Sequence, residues 1–256
     1  MSSLLNYKLE GAGHTIILIH GLFGNLDNLG LLARDLKNDY QVLSVDLRNH
    51  GLSLHSDEHN YELIAQDIKE LVEHLQLSNT IVVGHSMGGK AAMKFADIAP
   101  KHVDKLIVLD MAPVTYPDAR HDAVFAGLNA VIKQQPQSRR DAMQVLAEHI
   151  EMEGVRQFVG KSLYNTGEHM AWRFNVSALE ANYRHILGWN DIEPNTIPTL
   201  FIKGADSDYL MPEHQKSIQT QFPNSKAHVI ANVGHWLHAE KPTEVLRVIR
   251  RFLHDA

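Results

Sequence analysis

Cysteine is absent from all 256 residues. That excludes a disulfide framework, a thiol nucleophile and any thiolate metal site. Basic charge is also scarce. Twenty-four Lys and Arg against 30 Asp and Glu leave a net charge of −6, whereas a nucleic-acid binder needs a net basic face. No apolar run approaches the length that crosses a bilayer. The N-terminus lacks a basic stretch followed by an apolar core, so the sequence predicts no signal peptide and a cytoplasmic protein without membrane partners. Neither a Gly-x-Gly-x-x-Gly fingerprint nor a P-loop occurs, so no nucleotide cofactor is expected. Internal repeats and low-complexity segments are missing too.

What is present is an ordinary globular composition, 44% hydrophobic, on a chain long enough to bury a large core. Apolar runs alternate with helical patterns, which predicts a mostly parallel sheet with helices on both faces. Strands are read at Thr15–Ile19, Val42–Val45, Thr80–Val83, Lys105–Leu109, Thr199–Ile202 and His228–Ile230. Leu63, Ile64, Ile68, Leu71, Val72 and Leu75 share one helical stripe, with Asn60 as its N-cap. Pro242 opens a final amphipathic helix, where its missing N–H costs nothing. Residues 113–190 break the alternation. They contain helical patterns and the aromatics Trp172, Phe174 and Trp189 but no convincing strand, and the stretch is too long for an ordinary crossover. It is read as a helical cap inserted into a core of residues 1–112 and 191–256.

The most informative segment is Ile81-Val82-Val83-Gly84-His85-Ser86-Met87-Gly88-Gly89. An apolar strand running into Gly-x-Ser-x-Gly has the form of a nucleophile elbow. Strand and helix crowd each other two residues either side of the serine, so Gly84 and Gly88 stand where a Cβ would collide. The same pattern arises in a glycine-rich turn without chemistry, so partners must be found. A serine hydroxyl needs an adjacent base. Among seventeen histidines, His235 stands out because it follows the last strand and precedes the final helix. The carboxyl ends of parallel strands converge on one crevice, which would bring His235 to Ser86. After the first strong strand comes His20-Gly21-Leu22-Phe23-Gly24. The backbone amides of Leu22 and Met87 are the candidate oxyanion donors, His20 pins the loop, and Phe23 lines the pocket. His85 and Trp236, flanking the two reactive residues, join the candidate substrate contacts.

The residues alone leave the acid open. Asp206 and Asp208 lie in Gly204-Ala205-Asp206-Ser207-Asp208, and Asp110 ends the strand after the elbow helix. Here the chain resembles the α/β-hydrolase superfamily over essentially its whole length. The usual family acid falls in a Gly-x-x-Asp turn, where this sequence has Ser207. The resemblance tightens in His20 to Gly24, Asp27-Asn28-Leu29, Asp46-Leu47-Arg48-Asn49-His50-Gly51, Gly84 to Lys90, Asp110-Met111-Ala112-Pro113 and Trp172-Arg173-Phe174-Asn175. These are similar to the bacterial YbfF-type esterases. That resemblance implies an α/β-hydrolase fold, a cofactor-free Ser-His-Asp triad with Asp110 as the acid, and hydrolysis of short- to medium-chain acyl esters. Acyl-CoA thioesters would suit the basic Arg120, Arg139, Arg140, Arg156 and Lys161.

Trp172, Arg173 and Asn175 are expected to anchor the insertion at the crevice, where Trp172 or Arg173 would also meet substrate. His50, His55, Asp57, Glu58 and His59 are read as a solvated polar loop, not a metal site, because no pair has ligand spacing. The expected partner is a small ester or thioester, bound by a monomer or small homo-oligomer. Other serine-triad chemistries, carbon–carbon bond hydrolysis and cofactor-free haloperoxidase-like reactions, stay open, as does a binding module that keeps the pocket.

Overall fold

The computed structural model describes residues 4–117 and 120–254. A seven-stranded sheet is built from β1 (Tyr7–Glu10), β2 (Thr15–Ile19), β3 (Gln41–Val45), β4 (Thr80–His85) and β5 (Val103–Leu109), followed after a long excursion by β8 (Thr199–Gly204) and β9 (Ser225–Ile230). The excursion carries the hairpin of β6 (Leu163–Asn165) and β7 (Met170–Trp172). Spatial order in the large sheet is β1-β3-β2-β4-β5-β8-β9. All its pairs are parallel except β1 on β3. Strand β4, which ends just before Ser86, is central, and every residue of β2 and β4 is buried, as expected of strands covered on both sides.

The helices of the core are α1 (Gly30–Leu36), α2 (Tyr61–His74) and α3 (Met87–Ile98), with α9 (Gln215–Gln221), α10 (Leu237–Glu240) and α11 (Pro242–His254) toward the end of the chain. Two apolar layers result. Leu32, Leu36, Val245, Ile249 and Phe252 from α1 and α11 pack on Ile16, Ile81 and Ile107 of one sheet face. Ile64, Ile68, Phe95 and Phe222 pack on Ile17, Val82 and Val108 of the other. Asn60 caps α2 as its sequence position predicts, its side chain accepting the Leu63 N–H at 2.9 Å.

Between β5 and β8 lie α4 (Asp122–Gln134), α5 (Arg139–Ala147), α6 (Glu153–Gly160), α7 (Val176–Ala181) and α8 (Tyr183–Leu187). The β6–β7 hairpin corrects the expectation of a strand-free stretch; three-residue strands are too short to show a period of two. β1 also lay outside the predicted strands. It is a mostly exposed edge strand, so it has no buried face to pattern its sequence. Among the described residues, no helix is long and apolar enough to cross a membrane.

Candidate active site

Ser86 sits at the junction of β4 and α3 with φ 56° and ψ −123°, a backbone that a non-glycine residue holds only where its surroundings enforce it. The crowding is measurable. A Cβ on Gly84 would lie 2.1 Å from the Gly88 carbonyl oxygen, and one on Gly88 would lie 2.4 Å from those of Ile19 and His20. The Ser86 N–H is tied to the Leu109 carbonyl at 3.1 Å.

His235 lies on the loop between β9 and α10. Ser86 Oγ donates to His235 Nε2 at 2.8 Å, and His235 Nδ1–H donates to Asp110 Oδ2 at 2.7 Å. Asp110 is wholly buried and has φ 52°. Its Oδ1 accepts the Gly204 N–H at 3.1 Å, and its Oδ2 accepts the Ser207 hydroxyl as well. The Tyr209 ring stacks on His235 with centroids 3.9 Å apart. His85 donates its Nε2–H to the His235 carbonyl at 2.8 Å, and burial holds its imidazole neutral by pushing its pKa well below the usual value. Ser86, His235 and Asp110 therefore meet, although they are far apart in sequence. Asp206 and Asp208 border the cavity but neither bonds His235 among the described contacts. Asp208 instead pairs with Arg120 at 3.1 Å.

A cavity of about 480 Å³ opens over Ser86 and His235, within the range of small-molecule sites. Its walls come from both the core and the segment between β5 and β8. Phe23, His85 and Trp236 border it, with Val124, Val155 and Phe158 opposite. Leu22 borders it too, while Met87 lines a much smaller adjoining hollow. Met87 opens α3, so its N–H lies in the first turn, where no intrahelical acceptor exists.

Trp172 and Arg173 are placed elsewhere. Trp172 is buried, donates its indole N–H to the Leu128 carbonyl at 3.2 Å and stacks on Phe174. The exposed Arg173 lies over the Tyr164 ring at 4.0 Å. Neither borders the cavity; both belong to the packing of the inserted segment. Asn175 anchors that segment, its N–H donating to the Asn49 carbonyl at 2.9 Å. Of the five basic residues grouped by sequence, Arg120 alone reaches the cavity. Arg139 and Arg156 instead donate to main-chain carbonyls within the segment. The loop around His50 also departs from expectation. His50 and His59 are fully buried rather than solvated. Among the described residues, no group of three His, Asp or Glu side chains is arranged to hold a metal.

Sequence reasoning passed over Tyr209, His121 and Lys90. Lys90 is buried one turn after Ser86, its ammonium donating to the Leu187 and Gly188 carbonyls at 2.8 and 3.0 Å. Burial lowers its pKa to about 7. Its position two residues past Gly88 was the available signal, but nothing in the spacing shows that a lysine there turns inward.

An elbow serine at the carboxyl end of a central parallel strand, beneath an apolar cavity, defines a hydrolase architecture. The family described as alpha/beta hydrolase fold matches residues 14–242. The chain belongs to that family and is an esterase. The esterase YbfF of Escherichia coli is 48% identical over 240 residues, spanning 94% of this chain and 93% of that one. The sn-1-specific diacylglycerol lipase ABHD11 of Mus musculus is 36% identical over 260 residues, 97% of this chain and 85% of its own length. The solved structure of a marine microorganism esterase superposes with a TM-score of 0.94 at 33% identity, covering 98% of this chain and 100% of that one.

Proposed function

We propose that the protein hydrolyses short- to medium-chain acyl esters through an acyl-enzyme on Ser86, with His235 as base and Asp110 as its acid partner. The observation that carries this is the single imidazole bridging Ser86 Oγ and Asp110 Oδ2 at 2.8 and 2.7 Å. His235 Nε2 takes the hydroxyl proton as Ser86 attacks the carbonyl, while buried Asp110 stabilises the imidazolium and fixes its tautomer. The Leu22 and Met87 amides are assigned to the oxyanion of the tetrahedral intermediate. His235 then protonates the leaving alcohol, and a water activated by the same nitrogen releases the acid.

The apolar cavity walls supplied by Val124, Val155, Phe158 and Phe23 suit an acyl chain. The mouse relative's named substrate is likewise an acyl ester. An acyl-CoA thioester is the second reading, favoured by Arg120 at the cavity, but the other four basic residues lie off its walls. We assign the enzyme to the cytoplasm, acting on a small-molecule substrate as a monomer or small homo-oligomer.

A panel of p-nitrophenyl acyl esters and acyl-CoA thioesters, compared by kcat/KM, tests the assignment. Turnover highest on butyrate to octanoate esters is expected. No turnover, together with no labelling by a fluorophosphonate probe, would sink the catalytic reading and leave a binding module.

A further inference from the structure

The segment between β5 and β8 does more than wall the cavity: it grips the loop that carries Leu22. Phe23 has φ 63°, a left-handed backbone that a bulky residue keeps only where neighbours over-determine it. Both polar groups of its backbone are held. Its N–H donates to His50 Nε2 at 3.2 Å, and His50 Nδ1–H donates to the Arg48 carbonyl at 2.9 Å. Its carbonyl accepts from Ser162 Oγ at 3.2 Å, across 139 positions of sequence. His50 is 0% exposed and Ser162 2%, so water cannot readily replace either partner.

The loop's other peptide is held in the same way. The Gly21 carbonyl accepts from His20 Nδ1 at 2.8 Å and from the Gly24 N–H at 3.1 Å. A trans peptide points its C=O and N–H in opposite directions, so holding the Gly21 carbonyl directs the Leu22 N–H the other way. The His50 side is braced by the inserted segment as well, because Asn175 bonds the backbone carbonyl and side chain of neighbouring Asn49.

We propose that Ser162 and His50 are positioning residues for the Leu22 amide, so that seating of the inserted segment on the core is a condition for turnover and not only for access to the cavity. Its catalytic consequence rests on the esterase reading; the clamp itself rests on contacts alone. Without the Ser162 hydroxyl, the buried Phe23 carbonyl loses its partner. The peptide can then relax toward right-handed φ, turning the Leu22–Phe23 plane and displacing the adjacent amide.

Two readouts on wild type, Ser162→Ala, His50→Ala and His50→Gln test this. Amide hydrogen exchange over residues 20–24 reports the clamp, and initial rates on p-nitrophenyl butyrate report its consequence. In Ser162→Ala, exchange in the loop should quicken about tenfold while β4 stays protected. Its kcat should fall about tenfold with KM nearly unchanged, as for a misaligned catalytic group. His50→Gln, which keeps an acceptor oxygen, should recover most of what His50→Ala loses. Wild-type exchange in Ser162→Ala, a loosened loop with wild-type kcat, or an effect confined to KM would each overturn the proposal. Should His50→Ala fail to fold, Ser162→Ala decides alone, since it removes one oxygen. An inactive wild type would end the esterase reading, while exchange would still decide the clamp.

Discussion

Ser207 and His235 share one oxygen atom: both the serine hydroxyl and the Nδ1–H donate to Asp110 Oδ2. The Gly204 amide takes the other oxygen. Among the described residues the carboxylate is thus held by three donors, of which His235 alone also bonds Ser86. Removing the hydroxyl in Ser207→Ala should leave Oδ2 with His235 as its one remaining described donor and loosen the hold on the carboxylate. A charge-assisted hydrogen bond of this kind is worth enough to change rate about tenfold. The expected result in steady-state kinetics is a kcat about tenfold lower with KM little altered.

Asp110 and Asp208 make a sharper pair of tests. Asp110 is wholly buried against the imidazole, whereas the Asp208 side chain is 74% exposed. Asp110→Asn should lower kcat by about 10³–10⁴, because an amide no longer stabilises the charged base or selects its tautomer. Asp208→Asn loses one exposed ion pair and should stay within about threefold of wild type. A reversed order of effects would reassign the acid.

Buried neutral histidines make stability pH-dependent. Burial lowers the pKa of His59 and His238 to about 3 and that of His121 to about 4. In the unfolded chain these groups titrate near 6.5, so between those values the unfolded state binds the extra protons. Their stability contribution is therefore complete above pH 6.5 and falls as pH drops through the window toward 3. Each such proton is worth about 1.4 kcal/mol per pH unit at full difference. Denaturant midpoints measured from pH 7 to pH 4 should decline steeply, and His59→Gln should flatten the slope by about one proton.

The elbow glycines are intolerant for steric reasons that a melting curve can read. Gly84→Ala would drive a Cβ to 2.1 Å from the Gly88 carbonyl oxygen, in rigid backbone. Strand and helix must separate to admit it. A loss of about 3 kcal/mol and collapse of esterase activity are expected. Gly154→Ala, where the nearest heavy atom would lie 3.5 Å from the new Cβ, is the matched control and should leave activity intact.

The elements most legible in sequence are those with a one-sided apolar pattern. Thr15–Ile19 has the bounds its residues predict, and α2 begins one residue after its predicted cap. By contrast, β9 begins at Ser225 although only His228–Ile230 reads as strand, because Ser225 to Val229 are not buried. An edge strand is held by its ladder, and its side chains need no pattern. In the site, Ser86 and His235 are marked by loop position relative to strands, which the sequence displays. Ser207 was visible only as a departure from the usual Gly-x-x-Asp turn. That its hydroxyl turns to Asp110 depends on how β5 and β8 lie side by side, which spacing cannot show. Trp172 and Arg173 were misplaced for the same reason, since their faces are set by the β6–β7 hairpin, which Trp172 ends and Arg173 follows.

The ring of Tyr209 lies flat against His235, and its own carbonyl is held by the Tyr116 hydroxyl. Stacked on one face and bonded at both ring nitrogens, the imidazole is held in a single orientation. On the proposed mechanism, collecting a proton from serine and delivering it to a departing alkoxide would both occur from that pose. On that mechanism it is the substrate, more than the base, that would have to shift.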